Sequence, residues 1–100
     1  MRLRVVSVAE REFADAVDYY NQQRAGLGFE LAAEVAAAFE RIIQYPNAWV
    51  SFSSTTRRCQ IHRFPYGVLY YIHEDEIVVM AIMHLARDPN RWQERLHESR

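Results

Sequence analysis

One hundred residues, half of them apolar and a quarter charged, make one folded domain and exclude both a disordered chain and a multidomain enzyme. The formal net charge is −1, which excludes a polycation that grips duplex nucleic acid through bulk charge. No apolar run reaches the roughly 20 residues that a membrane-spanning helix needs.

Arg2 to Val8 reads as a first strand, rich in Val and Leu. Ser7-Val8-Ala9-Glu10 has the spacing of a capping box. A helix is therefore predicted from Ala9 to Arg24, with Phe13, Ala16, Val17 and Tyr20 as its buried stripe. Gly26 and Gly28 supply a stop and a tight turn. A second helix is predicted from Gly28 to Gln44, its inner face formed by Leu31, Ala32, Val35, Ala38, Phe39, Ile42 and Ile43, and Pro46 forbids its continuation. So short a link makes the two helices an antiparallel hairpin.

Asn47 to Thr56 shows neither helical stripe nor clear alternation and reads as a surface loop. Three strands follow, Arg58–Phe64, Gly67–His73 and Glu76–His84. Their links at Pro65-Tyr66 and Glu74-Asp75 are too short for a parallel crossover, so they form an antiparallel meander. The last strand is apolar at both phases, as a strand covered on both faces must be. Its second neighbour is most simply the first strand. The expected fold is thus α+β, in the order β-α-α-β-β-β-α. It has a largely antiparallel four-stranded sheet of order 1-4-3-2, the helix hairpin on one face, and a short C-terminal helix from Pro89 to His97 with Asp88 as N-cap and Trp92 and Leu96 buried.

This topology gathers ionisable groups at one rim. Pairing about Glu74-Asp75 puts Met83 roughly opposite Tyr66, which brings His84 and Arg87 toward His62, Arg63 and Tyr66. Arg57 and Arg58 fall at the other end, where an ion pair with the acidic turn is expected. Two histidines and two arginines supply the acid, base and cations that RNA cleavage by 2′-hydroxyl attack needs. The same four also make a protein-binding patch. Cys59 alternates in phase with Ile61 and is expected to be a buried thiol; being alone, it excludes an internal disulfide. Four scattered histidines and one cysteine give no zinc signature, and no glycine-rich phosphate loop is present. No cofactor is expected. The opening Met1-Arg2-Leu3-Arg4 has no apolar stretch of signal-peptide length, and the cytoplasm is the expected compartment.

Phe64-Pro65-Tyr66-Gly67-Val68-Leu69-Tyr70, the acidic turn Glu74-Asp75-Glu76, and His84-Leu85-Ala86-Arg87-Asp88-Pro89-Asn90-Arg91-Trp92, in this order of elements, resemble the RelE/ParE superfamily of toxins from type II toxin–antitoxin modules. The resemblance covers nearly the whole chain. It implies a growth-inhibiting toxin neutralised by a cognate antitoxin from the adjacent gene, and it implies one of two actions. ParE-like members block DNA gyrase; RelE-like members cut messenger RNA on the ribosome. RelE-like chains are usually lysine-rich, and here all twelve cationic side chains are arginine. That branch tends to carry arginine where Gly67 stands and a tyrosine near Trp92, and some relatives use a glutamate base, which is absent between Glu40 and Glu74. The ParE-like reading is therefore favoured, with target contacts expected from His84, Arg87, Arg63, Tyr66 and Trp92. A ribosome-dependent ribonuclease using His84, Arg87, Arg63 and His62 is the alternative, and a degenerate antitoxin-binding scaffold is a third. The resemblance also implies an antitoxin wrapped on the helix hairpin, with Phe13, Val17, Tyr20, Leu31 and Val35 as contacts and the acidic outer helix faces suited to a basic segment. Neither membrane association nor direct binding to duplex DNA is expected of the toxin alone.

Overall fold

The computed structural model describes residues 1–86, in which seven elements follow one another: β1 (Arg2–Val5), α1 (Ser7–Gln23), α2 (Leu27–Gln44), β2 (Val50–Ser51), β3 (Thr56–Gln60), β4 (Tyr66–His73) and β5 (Glu76–His84). The expected helix at Pro89–His97 lies outside the described residues. No described helix is long and apolar enough to cross a membrane.

The first strand is shorter than predicted, and the helix begins sooner. Val6 is still extended and donates its N–H to the Val79 carbonyl, so pairing with β5 holds the chain straight to that residue. The helix then starts at Ser7, with Val6 as N-cap and no side-chain cap; the Ser7–Glu10 capping box does not form. The two helices face the sheet with the predicted stripes. Leu31, Val35, Ala38 and Ile42 of α2 are buried, and Phe13, Val17 and Tyr20 of α1 pack partly buried against the same core. Gly26 makes the turn between them at φ +89°, a conformation that side chains rarely adopt. Gly28 then passes so close to α1 that a Cβ there would sit 2.1 Å from the Val17 carbonyl oxygen. Its N–H donates to Asn21 Oδ1 at 2.7 Å.

After α2, residues 45–49 are fixed by side chains from three directions. The Trp49 indole donates to the Arg41 carbonyl at 3.3 Å, Arg57 donates to the Trp49 carbonyl at 2.8 Å, and the Tyr70 hydroxyl donates to the Pro46 carbonyl. Tyr70 is fully buried, and burial pushes its pKa up to about 12 against the opposing charge of Arg57. A raised folded-state value means that the stabilisation is complete below about pH 10 and is lost as pH rises through about 12. Tyr70→Phe should therefore cost about 1 kcal/mol at neutral pH, and it should lose less stability than the wild type on going from about pH 8 to about pH 11. Urea midpoints at the two values check this.

The sheet is mixed and five-stranded, in the order β1-β5-β4-β3-β2. The expected order 1-4-3-2 is extended at the outer edge by β2, which pairs antiparallel with β3 inside the segment expected to be loop. Pairing of β1 with β5 is parallel; the β3-β4-β5 meander is antiparallel. β3 stops at Gln60 rather than Phe64, and residues 61–65 turn tightly, with Arg63 at φ +71°. The helices cover the face that includes Val68, Tyr70, Ile77 and Val79. The opposite face carries a second buried cluster, Leu69, Met80, Ala81 and Met83, with Phe52, Tyr71 and Leu85 against it. As expected of a strand inside the sheet, β5 is buried from Ile77 to Met83.

Candidate target-binding rim

One register shift positions the rim. From His73↔Glu76 to Tyr70↔Val79 the β4–β5 pairing is regular, and between Leu69 and Tyr70 it slips by one residue, so that Leu69 faces Ala81. A bulge of this kind leaves an extra residue on one strand, here Met80. The consequence is that His84, not Met83, stands opposite Tyr66, while Met83 faces Gly67. The Tyr66 and His84 rings meet edge to face, with centroids 5.3 Å apart. Tyr66 in turn lies against Tyr20 of α1, and Tyr20 against Phe64. A ladder of aromatic edges thus runs from the helix hairpin to the half-buried histidine.

The turn after β5 is stitched to the turn before β4. Leu85 donates its N–H to the Pro65 carbonyl at 2.8 Å, and Ala86 donates its N–H to His84 Nδ1 at 3.2 Å. The second bond uses the Nδ1 lone pair, which puts the proton of the neutral ring on Nε2. His84 therefore presents a donor at Nε2. On the other face, the Cβ position of Gly67 is already filled: Leu85 Cδ2 lies 2.9 Å from it and Arg58 Cγ 3.2 Å. No side chain enters there without displacing that closure.

The Ile82 N–H, beyond the last residue paired with β1, is satisfied from outside the sheet. Glu12 of α1 accepts it at 3.1 Å, tying the helix to the strand two residues before His84. Removing the acceptor strands a partly buried donor, so Glu12→Ala should cost about 1–2 kcal/mol. Glu12→Gln keeps an acceptor and should lose much less. Thermal melts of the two variants provide the comparison, with a drop of several degrees expected for alanine alone.

Arg63 is placed differently from its neighbours. Its guanidinium lies 2.6 Å from Glu30 and 3.9 Å from Glu34, both on α2, and over the Phe64 ring. The hydrogen bond from Arg63 is the main reason why the Glu30 carboxyl sits below its usual range. Arg63 thus reaches toward the helix hairpin, where acids occupy it. His62 is exposed in the same turn. Arg87 and Trp92 lie outside the described residues.

The expected ion pair of Arg57 or Arg58 with the acidic turn does not form. Glu76 is held by Arg2 and Arg4 of the neighbouring β1, and Arg57 binds a backbone carbonyl. Cys59 is buried, and burial pushes its thiol pKa up. Among the described residues no three His, Cys, Asp or Glu side chains come together as metal ligands. On the hairpin, Leu31 and Val35 are 0% and 2% exposed, and both pack into the core. The apolar side chains offered outward near the hairpin tip are Tyr19 of α1 and Phe29 of α2, 41% and 69% exposed. Sequence reasoning passed over both because it followed the inner stripe, although each is an apolar residue standing off that stripe.

A helix hairpin backing a mixed sheet, with a histidine delivered to a rim by an inner strand, is the architecture expected of the RelE/ParE superfamily. Residues 3–89 match the family described as the ParE toxin of the type II toxin–antitoxin system, parDE, and the chain belongs to that family. Among solved structures it is similar to one titled as a chromosomal ParDE toxin–antitoxin system from P. aeruginosa, at a TM-score of 0.76 and 16% identity, covering 85% of this chain and 96% of that one. No curated protein matches by sequence.

Proposed function

We propose that this chain arrests growth by binding a cellular target through the rim around His84 and Tyr66, that the target is DNA gyrase, and that a cognate antitoxin from the adjacent gene neutralises it. The family match over residues 3–89 carries the toxin reading. Three features of the rim support binding over RNA cleavage. The Nδ1 lone pair of His84 is already used by the Ala86 N–H, so the ring offers a donor rather than a base. The Arg63 guanidinium is held by Glu30 and Glu34 instead of standing free for a phosphate. The place where RelE-like chains tend to carry arginine is Gly67, whose open side is filled by Leu85 and Arg58.

The antitoxin contact is assigned to the outer side of the helix hairpin. Tyr19 and Phe29 supply apolar anchors there, and Glu10, Asp15 and Asp18 on α1 supply charge for a basic segment. The target contact is assigned to His84, whose ring is set by the buried Tyr66, joined by Arg87 and Trp92 from the sequence motif.

Induced expression followed by primer extension tests the choice of mechanism. Growth should stop with transcripts intact. New 5′ ends positioned within translated codons would instead establish the ribonuclease, with His84, Arg87, Arg63 and His62 as the residues to examine. Unimpaired growth with intact antitoxin binding would leave only the scaffold reading.

A further inference from the structure

Arg58 leans toward the His84 rim instead of the acidic turn. It pairs with Leu69 on β4. Gly67, two residues nearer the rim, is its diagonal neighbour on the same face, within reach of a long side chain. A Cβ on Gly67 would lie 3.2 Å from Arg58 Cγ and 3.3 Å from Arg58 Cδ, and 2.9 Å from Leu85 Cδ2. The arginine stem thus occupies the space that a side chain at position 67 would fill, and the missing side chain of Gly67 makes room for it. The guanidinium, joined to Cδ through Nε, is carried to the rim end of the sheet.

It arrives on the side away from the helices. Gly67 pairs with Met83, and Leu69, Met83 and Leu85 belong to the cluster on that side. His84 meets Tyr66, which packs against Tyr20 of α1 on the helix side. The two groups therefore flank the sheet end, with the Leu85 N–H bond to the Pro65 carbonyl between them. Every acid among the described residues lies on the helix hairpin or in the turn at the far end of the sheet. Among those residues the half-buried Arg58 has no ion pair. A guanidinium edged by an apolar side chain suits one carboxylate within an otherwise apolar contact. A nucleic-acid strand would instead need a track of cations, and Arg63, the next arginine along the chain, is held by Glu30 and Glu34.

We infer that Arg58 is a second anchor for the target, and that it takes a carboxylate on the target's protein surface. This assignment rests on the proposal that the rim binds the target. It adds a contact on the opposite side of the sheet end from His84 and makes the bound surface straddle that end.

Purified gyrase is the probe, titrated calorimetrically with the wild-type chain, His84→Ala, Arg58→Met and Arg58→Lys, with and without DNA. Arg58→Met keeps a stem over Gly67 and removes only the charge, so its thermal melt should match the wild type. It should bind gyrase about tenfold or more weakly. Its affinity should also fall less steeply with added salt than that of the wild type. Arg58→Lys should recover part of the loss, which a role in packing alone would not require of a charge. If Arg58→Met does not fold, Arg58→Gln takes its place. Equal binding by the wild type and Arg58→Met, with His84→Ala weakened, would overturn this anchor and leave the rim reading standing. No binding by the wild type would overturn the rim reading, and this anchor with it. A loss seen only when DNA is present would overturn the carboxylate assignment and make the ligand a phosphate.

Discussion

Alanine at His84 should abolish growth arrest while leaving the protein folded. The ring is half-buried at the rim and its main packing partner is Tyr66, so its loss costs about 1 kcal/mol of aromatic contact. Folding does not hinge on a loss of that size. Binding does, because a donor at the centre of a contact surface is worth more than its share of area. The donor is set by the Ala86 N–H on Nδ1, and the ring is set by the register shift that brings His84 opposite Tyr66. Colony counts under induction, alongside a thermal melt of the purified variant, separate the two effects. Retained arrest with a normal melt would remove His84 from the target contact.

The largest effect on stability is expected at Gly28. An alanine methyl there meets the Val17 carbonyl oxygen at 2.1 Å and the Asn21 side chain at 2.8 Å. The first of these is backbone and can yield only if the helices separate. Separation would strain the Gly28 N–H bond to Asn21 and loosen the packing of α2 on the sheet. Overpacking of this kind costs about 3 kcal/mol, a large part of what a 100-residue domain has to spare. Gly28→Ala should lower Tm by more than 10 °C, on the order of 4–8 °C per kcal/mol. Calorimetry of wild type and variant checks the figure. An unchanged Tm would mean that the helices approach less closely than described.

Much of this architecture can be read from the residues, because local pattern and tertiary demand agree. The stripes of α1 and α2 repeat at helical spacing, and the residues they name are those that face the sheet. β5 is apolar at both phases because it lies inside the sheet with both faces covered, and that placed His84 at the end of an inner strand. Other features depend on partners that the pattern does not encode. β2 is two residues long, and its only reason to be a strand is the neighbouring Arg57-Arg58 backbone. The bulge at Leu69/Tyr70 carries no glycine or proline to mark it, so the simple register left His84 one residue out of place. Arg63 looked like a rim cation because Glu30, which claims it, is 33 residues away in sequence. Ser7 had the spacing of a cap, yet the sheet bond at Val6 fixed the helix start. The same periodicity that identifies a helix also names the face that the core consumes, which is where Leu31 and Val35 lie.

Gyrase binding through the rim is tested most directly by a supercoiling assay with purified components. Relaxed plasmid, gyrase and ATP should yield little supercoiled product when the wild-type chain is present in excess, and normal product with His84→Ala. Full supercoiling in the presence of excess folded wild-type protein would contradict the assignment of gyrase as the target.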